Sequence, residues 1–229
     1  MDKKGEKIWQ TSEHHILAWV LAIVGGYLDA YSYLCRGEVF ANAQTGNIVL
    51  LSVSLIEQKW YLALNYLCPI LAFVAGVFIC ELIKLKKYEL THFHWRQFVI
   101  LIELTVVVFA GFIPVGKWDF LVNLMISFVC ALQVEAFRKV KGNAFASTMC
   151  TGNLRSGTEK LFKFIESKDK KLARDCMEYY TVILFFIGGA AIGGLLTNLL
   201  GAISVSIAAI GLVIAYLLMT QEYLLKNRD

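Results

Sequence analysis

Apolar residues in this chain come in long unbroken blocks rather than in the spaced stripe of a surface helix. Six blocks stand out: Ile16–Cys35, Tyr61–Ile83, Phe98–Val115, Trp118–Phe137, Tyr179–Leu199 and Ile203–Thr220. Each approaches the ~20 residues that an α-helix needs to cross a hydrocarbon core of about 30 Å. Two further stretches, Val39–Ile56 and Ala144–Ile165, are apolar but broken by polar residues and a central glycine, and the second also carries Arg155, Glu159, Lys160 and Lys163. The pattern predicts an all-α integral membrane protein.

Charge placement decides how the two mixed stretches are read, because Lys and Arg collect on the cytoplasmic side of a bilayer. If neither stretch crosses and the N-terminus is inside, only Arg36, Lys59 and Lys117 lie outside, and 19 of the 22 basic residues lie inside. If both cross, the inner share falls to 14 of 22. Six spanning helices with two re-entrant or broken-helix segments is therefore the expected architecture, with both termini cytoplasmic in a cell (inner or plasma) membrane. Non-helical backbone at such depth is tolerated only inside protein or along a watery cavity.

The two mixed stretches also mark an internal repeat. Asp29-Ala30 precedes Thr45-Gly46-Asn47, and Glu135-Ala136 precedes Thr151-Gly152-Asn153, with both pairs separated by 106 residues. Residues 1–229 then read as a single membrane domain, with repeat one at about 16–115 and repeat two at about 118–220. Three spans per repeat is odd, so the second copy is inverted relative to the first, an arrangement common in transporters.

The stretches that carry this repeat, GGYLDAYSYL…VFANAQTGNIVLL and CALQVEAFRKVKGNAFASTMCTGNLRSGTE, resemble the two signatures of the YoaK-like family of bacterial multi-pass membrane proteins. The likeness covers nearly the whole chain. It implies a multi-pass membrane protein and carries no particular activity with it.

Composition agrees with the block pattern: 58% hydrophobic and 17% charged residues, with a mean hydropathy of +0.60. The net charge of +4 forms no basic stripe interleaved with aromatics, so nucleic acid is not an expected partner. Of the six cysteines none makes a CxxC pair or a Cys/His metal spacing, and no metal or cofactor is expected. The HxH at His92 and His94 reads as a solvated loop. The N-terminus lacks the short apolar core and small-residue site of a cleaved signal peptide, so the first block reads as a retained helix.

Candidate chemistry concentrates on the repeat motif. A glycine allows a sharp turn, and Thr or Asn can cap the half-helix that follows. A half-helix start also presents free N–H groups and partial positive charge. Thr45, Gly46 and Asn47 with Thr151, Gly152 and Asn153 are therefore the expected lining of a polar solute site, against the plainer reading that they cap and pack a buried loop. Asp29 and Glu135 are ionisable groups within apolar blocks, functional candidates by default, although Arg138 is placed to pair with Glu135 and Asp29 has a structural alternative as a hydrogen-bond partner of the TGN loop. Glu103 has no acidic counterpart at the same offset. Gln44, Asn42 and Gln133 add polar lining. Gly189 and Gly193 form a GxxxG pair suited to close helix packing, within the bundle or in a homo-oligomer. Glu159–Asp175 reads as a surface helix touching anionic lipid.

Walker A, HExxH, GxSxG and GxGxxG patterns are absent from the sequence, which removes support from ATP-driven transport and common hydrolases. The leading expectation is a small-solute transporter or channel whose partners are the lipid bilayer and a small solute or ion. The alternatives are a membrane-embedded enzyme acting on a lipid-linked substrate, or a non-catalytic regulatory membrane subunit; an enzyme is the less favoured class.

Overall fold

A backbone that must satisfy its own hydrogen bonds in an apolar setting closes into helices, and the long blocks do so. The computed structural model describes residues 15–86, 94–140, 143–145 and 147–226. Its elements are α1 (His15–Cys35), α2 (Gln44–Ile56), α3 (Trp60–Leu85), α4 (Trp95–Gly111), α5 (Asp119–Ala136), α6 (Cys150–Ser167), α7 (Lys170–Leu200) and α8 (Ala208–Lys226). A two-residue antiparallel pair, β1 (Lys139–Val140) with β2 (Asn143–Ala144), lies between α5 and α6, and a 3-10 turn at Gly201–Ile207 joins α7 to α8. Among the described residues, α1, α3, α5 and the continuous run Lys170–Gln221 are long and apolar enough to cross a membrane. Large apolar side chains such as Leu64, Phe78, Phe109, Leu184 and Leu217 face outward, as expected where the surroundings are lipid.

One pair of helix starts and one helix break repeat at the offset seen in the sequence. α2 begins at Gln44 and α6 at Cys150; α4 begins at Trp95, while the helical run after α7 is broken at Gly201, 106 residues from Trp95. Packing follows the same rule. α1 lies mainly along α7 and α3 along α5, α2 rests on α3 and α6 on α7, and α4 meets α5 as α8 meets α1. Exchanging each element for its counterpart leaves this list of neighbours unchanged.

The α1–α7 seam explains the glycine pair. A Cβ on Gly26 would lie 2.1 Å from the Phe186 carbonyl oxygen, one on Gly189 would lie 2.1 Å from the Ile23 carbonyl oxygen, and one on Gly193 would lie 2.8 Å from Tyr27 Cα. The expectation that Gly189 and Gly193 offer a face for homo-oligomers is corrected here: α1 of the same chain already covers them. A second correction concerns Glu159–Asp175. It is not one surface helix, because Lys168 adopts a left-handed conformation (φ 58°) that ends α6, and the Asp169 side chain accepts from Lys171 N–H to begin α7. Of the two histidines in HxH, His94 accepts from Arg96 N–H and, with Gln97, forms a capping box for α4; His92 lies outside the described residues.

Two sets of polar contacts fix the ends of the bundle. Tyr27 Oη donates to the Ser204 carbonyl (2.6 Å) and Tyr31 Oη to the Ala202 carbonyl (3.1 Å), holding the 3-10 turn against α1. Arg36, counted in the sequence among the outer-loop charges, is instead fully buried. It donates to Tyr31 Oη, to the carbonyls of Ala110, Ile113 and Pro114, and to Asp119 at 2.9 Å.

Candidate functional site

The site is built on one face of α1. Gly25, Asp29 and Ser32 lie on that face, and each accepts a bond from the strand of chain that returns alongside it. Asn42 Nδ2 donates to the Gly25 carbonyl (3.0 Å), Asn42 N–H to Asp29 Oδ1 (2.7 Å) and Ala41 N–H to Ser32 Oγ (3.1 Å). The Ala41 carbonyl is held from the other side by Ser127 Oγ of α5 at 2.8 Å. The returning strand is thus pinned beside the middle of α1: from Gly25 to the end of α1 at Cys35 the helix rises ~15 Å. α2 starts there, at Gln44.

The second mixed stretch arrives at the same point. Thr148 presses its methyl group on Gly25, where an added Cβ would lie 2.6 Å from Thr148 Cγ2. Ser147 beside it is held by Gln133 at 2.7 Å. Asn42 and Thr148 are 106 residues apart, each stands two residues before a helix start, and both are buried. Each also keeps one oxygen, Asn42 Oδ1 and Thr148 Oγ1, with no hydrogen-bond partner among the described residues. A buried polar atom left in that state is costly and calls for an explanation.

Between these groups lies a cavity of about 740 Å³. Its walls include Asp29 and Tyr33 of α1, Asn42 to Thr45 at the start of α2, Thr148 to Gly152 at the start of α6, Phe73 of α3, and Phe186, Ala190 and Gly194 along α7. Neither α2 nor α6 is capped by a side chain of its own. Asp29 stands beside the start of α2 from a different helix, its Oδ1 accepting from Asn42 N–H at 2.7 Å, one residue before the N-cap Ala43. A second cavity of about 480 Å³ reaches Glu135, Arg138, Asn153 and Ser156, and it shares the Phe73, Met149 and Gly152 walls with the first.

The motif residues divide. Asp29, Gln44, Thr45, Thr151 and Gly152 line the larger cavity, and Glu135 and Asn153 line the smaller one. Gly46, Asn47 and Glu103 border neither. The TGN triplets are not the turn itself, as the sequence suggested, because both lie within the first helical turn. Thr45 and Thr151 therefore do not cap. Asn47 is fully buried and clamps the strand before α2, accepting from Phe40 N–H (3.2 Å) and donating to the Phe40 carbonyl (2.6 Å) and Gln44 Oε1 (3.0 Å). Gly46 makes room for the Phe40 ring, 3.0 Å from where a Cβ would stand.

The two acidic counterparts differ in the same way. Glu135 pairs with Arg138 at 3.0 Å and faces Lys84 at 3.9 Å, at the end of α5. Glu103 is wholly buried between helices. With its amide turned to satisfy its neighbours, Gln133 donates to Glu103 at 2.9 and 3.3 Å and accepts from Ser147 Oγ at 2.7 Å. That chain of contacts runs from α4 to the residue preceding Thr148. Sequence reasoning missed Thr148, Gly25 and Arg36. The signal for Thr148 was the 106-residue offset applied to Asn42 rather than to the TGN triplet.

Comparison with known proteins agrees with a membrane protein. The chain is 26% identical over 185 residues to the UPF0700 transmembrane protein YoaK of Bacillus subtilis, covering 76% of this chain and 79% of that protein. No solved structure matches. Residues 17–218 match the family model described as protein of unknown function (DUF1275), and the chain is a membrane protein belonging to that family, in keeping with the YoaK-like resemblance.

Proposed function

We propose that the protein carries a small polar solute across the membrane through the cavity between the starts of α2 and α6. One observation carries this reading: two pseudo-equivalent residues that line a 740 Å³ cavity together with Asp29, Asn42 and Thr148, each keep a buried side-chain oxygen without a hydrogen-bond partner among the described residues. An unpartnered buried oxygen is costly in an apolar interior; Asn123 Oδ1 is another, away from both cavities, and what sets Asn42 and Thr148 apart is their shared place on the cavity wall beside Asp29.

The topology that goes with this reading has six crossings: α1, α3, α4, α5, α7 and α8. α2 has 13 residues and rises ~20 Å, short of a core of about 30 Å. It acts as a half-helix from mid-depth to the outer face, and α6 acts as its inverted counterpart toward the inner face. Exposed Trp60, Tyr61 and Trp118 beside Lys59 and Lys117 suit an outer interface, where aromatic rings collect. The chain is then one domain of two inverted halves in a cell membrane, both termini inside. Phe73, Met149 and Gly152, the wall common to both cavities, separate the central site from an inner vestibule lined by Glu135 and Arg138. Glu103, through Gln133 and Ser147, supports the segment that ends at Thr148. Asn47 and Gly46 hold the shape of α2's start without touching solute.

The test is solute flux in proteoliposomes, screened across small polar solutes. Asp29→Asn keeps an acceptor for Asn42 N–H and Thr148→Val keeps the volume, so both variants are expected to fold. Each is expected to lower flux at least tenfold, the factor that corresponds to losing one charged or buried hydrogen bond to the solute. Full flux in both would remove the site.

A further inference from the structure

The two half-helix starts are equivalent in position but not in charge. A helix start carries about half a positive charge. At α2 this is met by Asp29, whose Oδ1 accepts from Asn42 N–H beside that start. At α6 nothing comparable is present among the described residues. The counterpart acid, Glu135, is turned to Arg138 and Lys84, the first turn of α6 holds no acidic residue, and no side chain caps it. Gly152 in that turn lines the cavity, with no atom within 4 Å of where its Cβ would stand. Among the described residues, no Lys or Arg lines the cavity. One carboxylate against two half-helix starts leaves the site close to neutral overall and strongly dipolar, negative at Asp29 and positive at the start of α6. Asn42 Oδ1 adds an acceptor and the Thr148 hydroxyl a donor.

We infer that the site takes a small zwitterion of the amino-acid kind, its ammonium end on Asp29 and Asn42 Oδ1 and its carboxylate end on the open N–H groups of α6 and the Thr148 hydroxyl. This rests on the solute-carrier reading and adds the class of solute. A simple cation would leave the α6 start unmet, and a simple anion would face Asp29. The apolar remainder of the wall, Phe73, Phe186 and Ala190, accommodates a short side chain.

Binding to the purified full-length chain in detergent, by calorimetry and by thermal shift, tests the inference. The probes are L-alanine, L-serine, L-leucine and β-alanine, each set against the amine and the carboxylate of matching skeleton. At least one zwitterion is expected to bind about tenfold or more tighter than both of its singly charged counterparts. Gly152→Asp places a carboxylate at the α6 start, where there is room for it, and should reverse the order so that the amine binds tighter than the zwitterion. A singly charged class binding as tightly as every zwitterion overturns the inference and leaves the carrier reading standing. The absence of saturable binding by any class also overturns the inference, and the flux screen with other polar solutes then decides the carrier reading.

Discussion

Arg36 uses all five of its N–H donors: one on the Tyr31 hydroxyl, three on the carbonyls of Ala110, Ile113 and Pro114, and one on Asp119. The carbonyls at the end of a helix lack partners and carry partial negative charge, so a buried guanidinium there ties the end of α1 to the α4–α5 junction. Arg36→Met should cost about 3–5 kcal/mol, since it strands several buried acceptors together with Asp119. Asp119→Asn should cost less, about 1–2 kcal/mol, because the neutral acceptors remain. Unfolding in mixed detergent micelles measures both, and near-equal small losses would show that the cluster is solvated rather than structural. At this scale the sequence was a partial guide. Asp29 was legible because an acid inside an apolar block is conspicuous. Arg36 was not, because it stands beside Gly37 and Glu38 and reads like any loop charge; only the fold shows that the end of α4 lies beside it.

Among the elements, the α1–α7 seam is where backbone meets backbone. Gly188 and Gly189 are neighbours in sequence with opposite surroundings: a Cβ on Gly189 would meet the Ile23 carbonyl at 2.1 Å, whereas one on Gly188 would meet nothing within 4 Å. Gly189→Ala should therefore force α1 and α7 apart and cost about 1–3 kcal/mol or more. Gly188→Ala should stabilise the helix by about 1 kcal/mol through propensity alone. Thermal unfolding of the two single variants reads the difference directly, and equal shifts would mean that the seam is looser than its geometry. The helices themselves were readable from apolar block length, and the start of α2 from the glycine and polar residues in its stretch. What could not be read was which glycine does what. Gly46 packs a ring and Gly152 opens onto a cavity, although both are the middle residue of the same TGN motif, because the Phe40 ring lies on Gly46, whereas the aromatic in the loop before α6, Phe145, packs with Ala18, Ala22 and Val182 instead.

At the scale of the whole molecule, the exchange of neighbours is the fact with most reach. α1 lies on α7 and α3 on α5, so each half is completed by the other and neither buries its own first helix. Such an interlock follows if one half enters the bilayer from each face, with its half-helix ending at mid-depth where Asn42 and Thr148 both meet Gly25. The proposed half-helix role of α2 sets which loops would share a side. With α2 as a half-helix, Lys59 after α2 lies outside and Lys86 after α3 inside; with α2 as a full crossing, the two exchange sides. In a chain stripped of its six cysteines, Lys59→Cys is expected to react with an impermeant maleimide added to intact cells, and Lys86→Cys only after the membrane is opened. Both positions are exposed, so a silent residue reports its side of the membrane rather than burial. The reverse pattern would turn α2 into a spanning helix, move Asn42 away from mid-depth, and dissolve the central site together with the inverted relation of the halves.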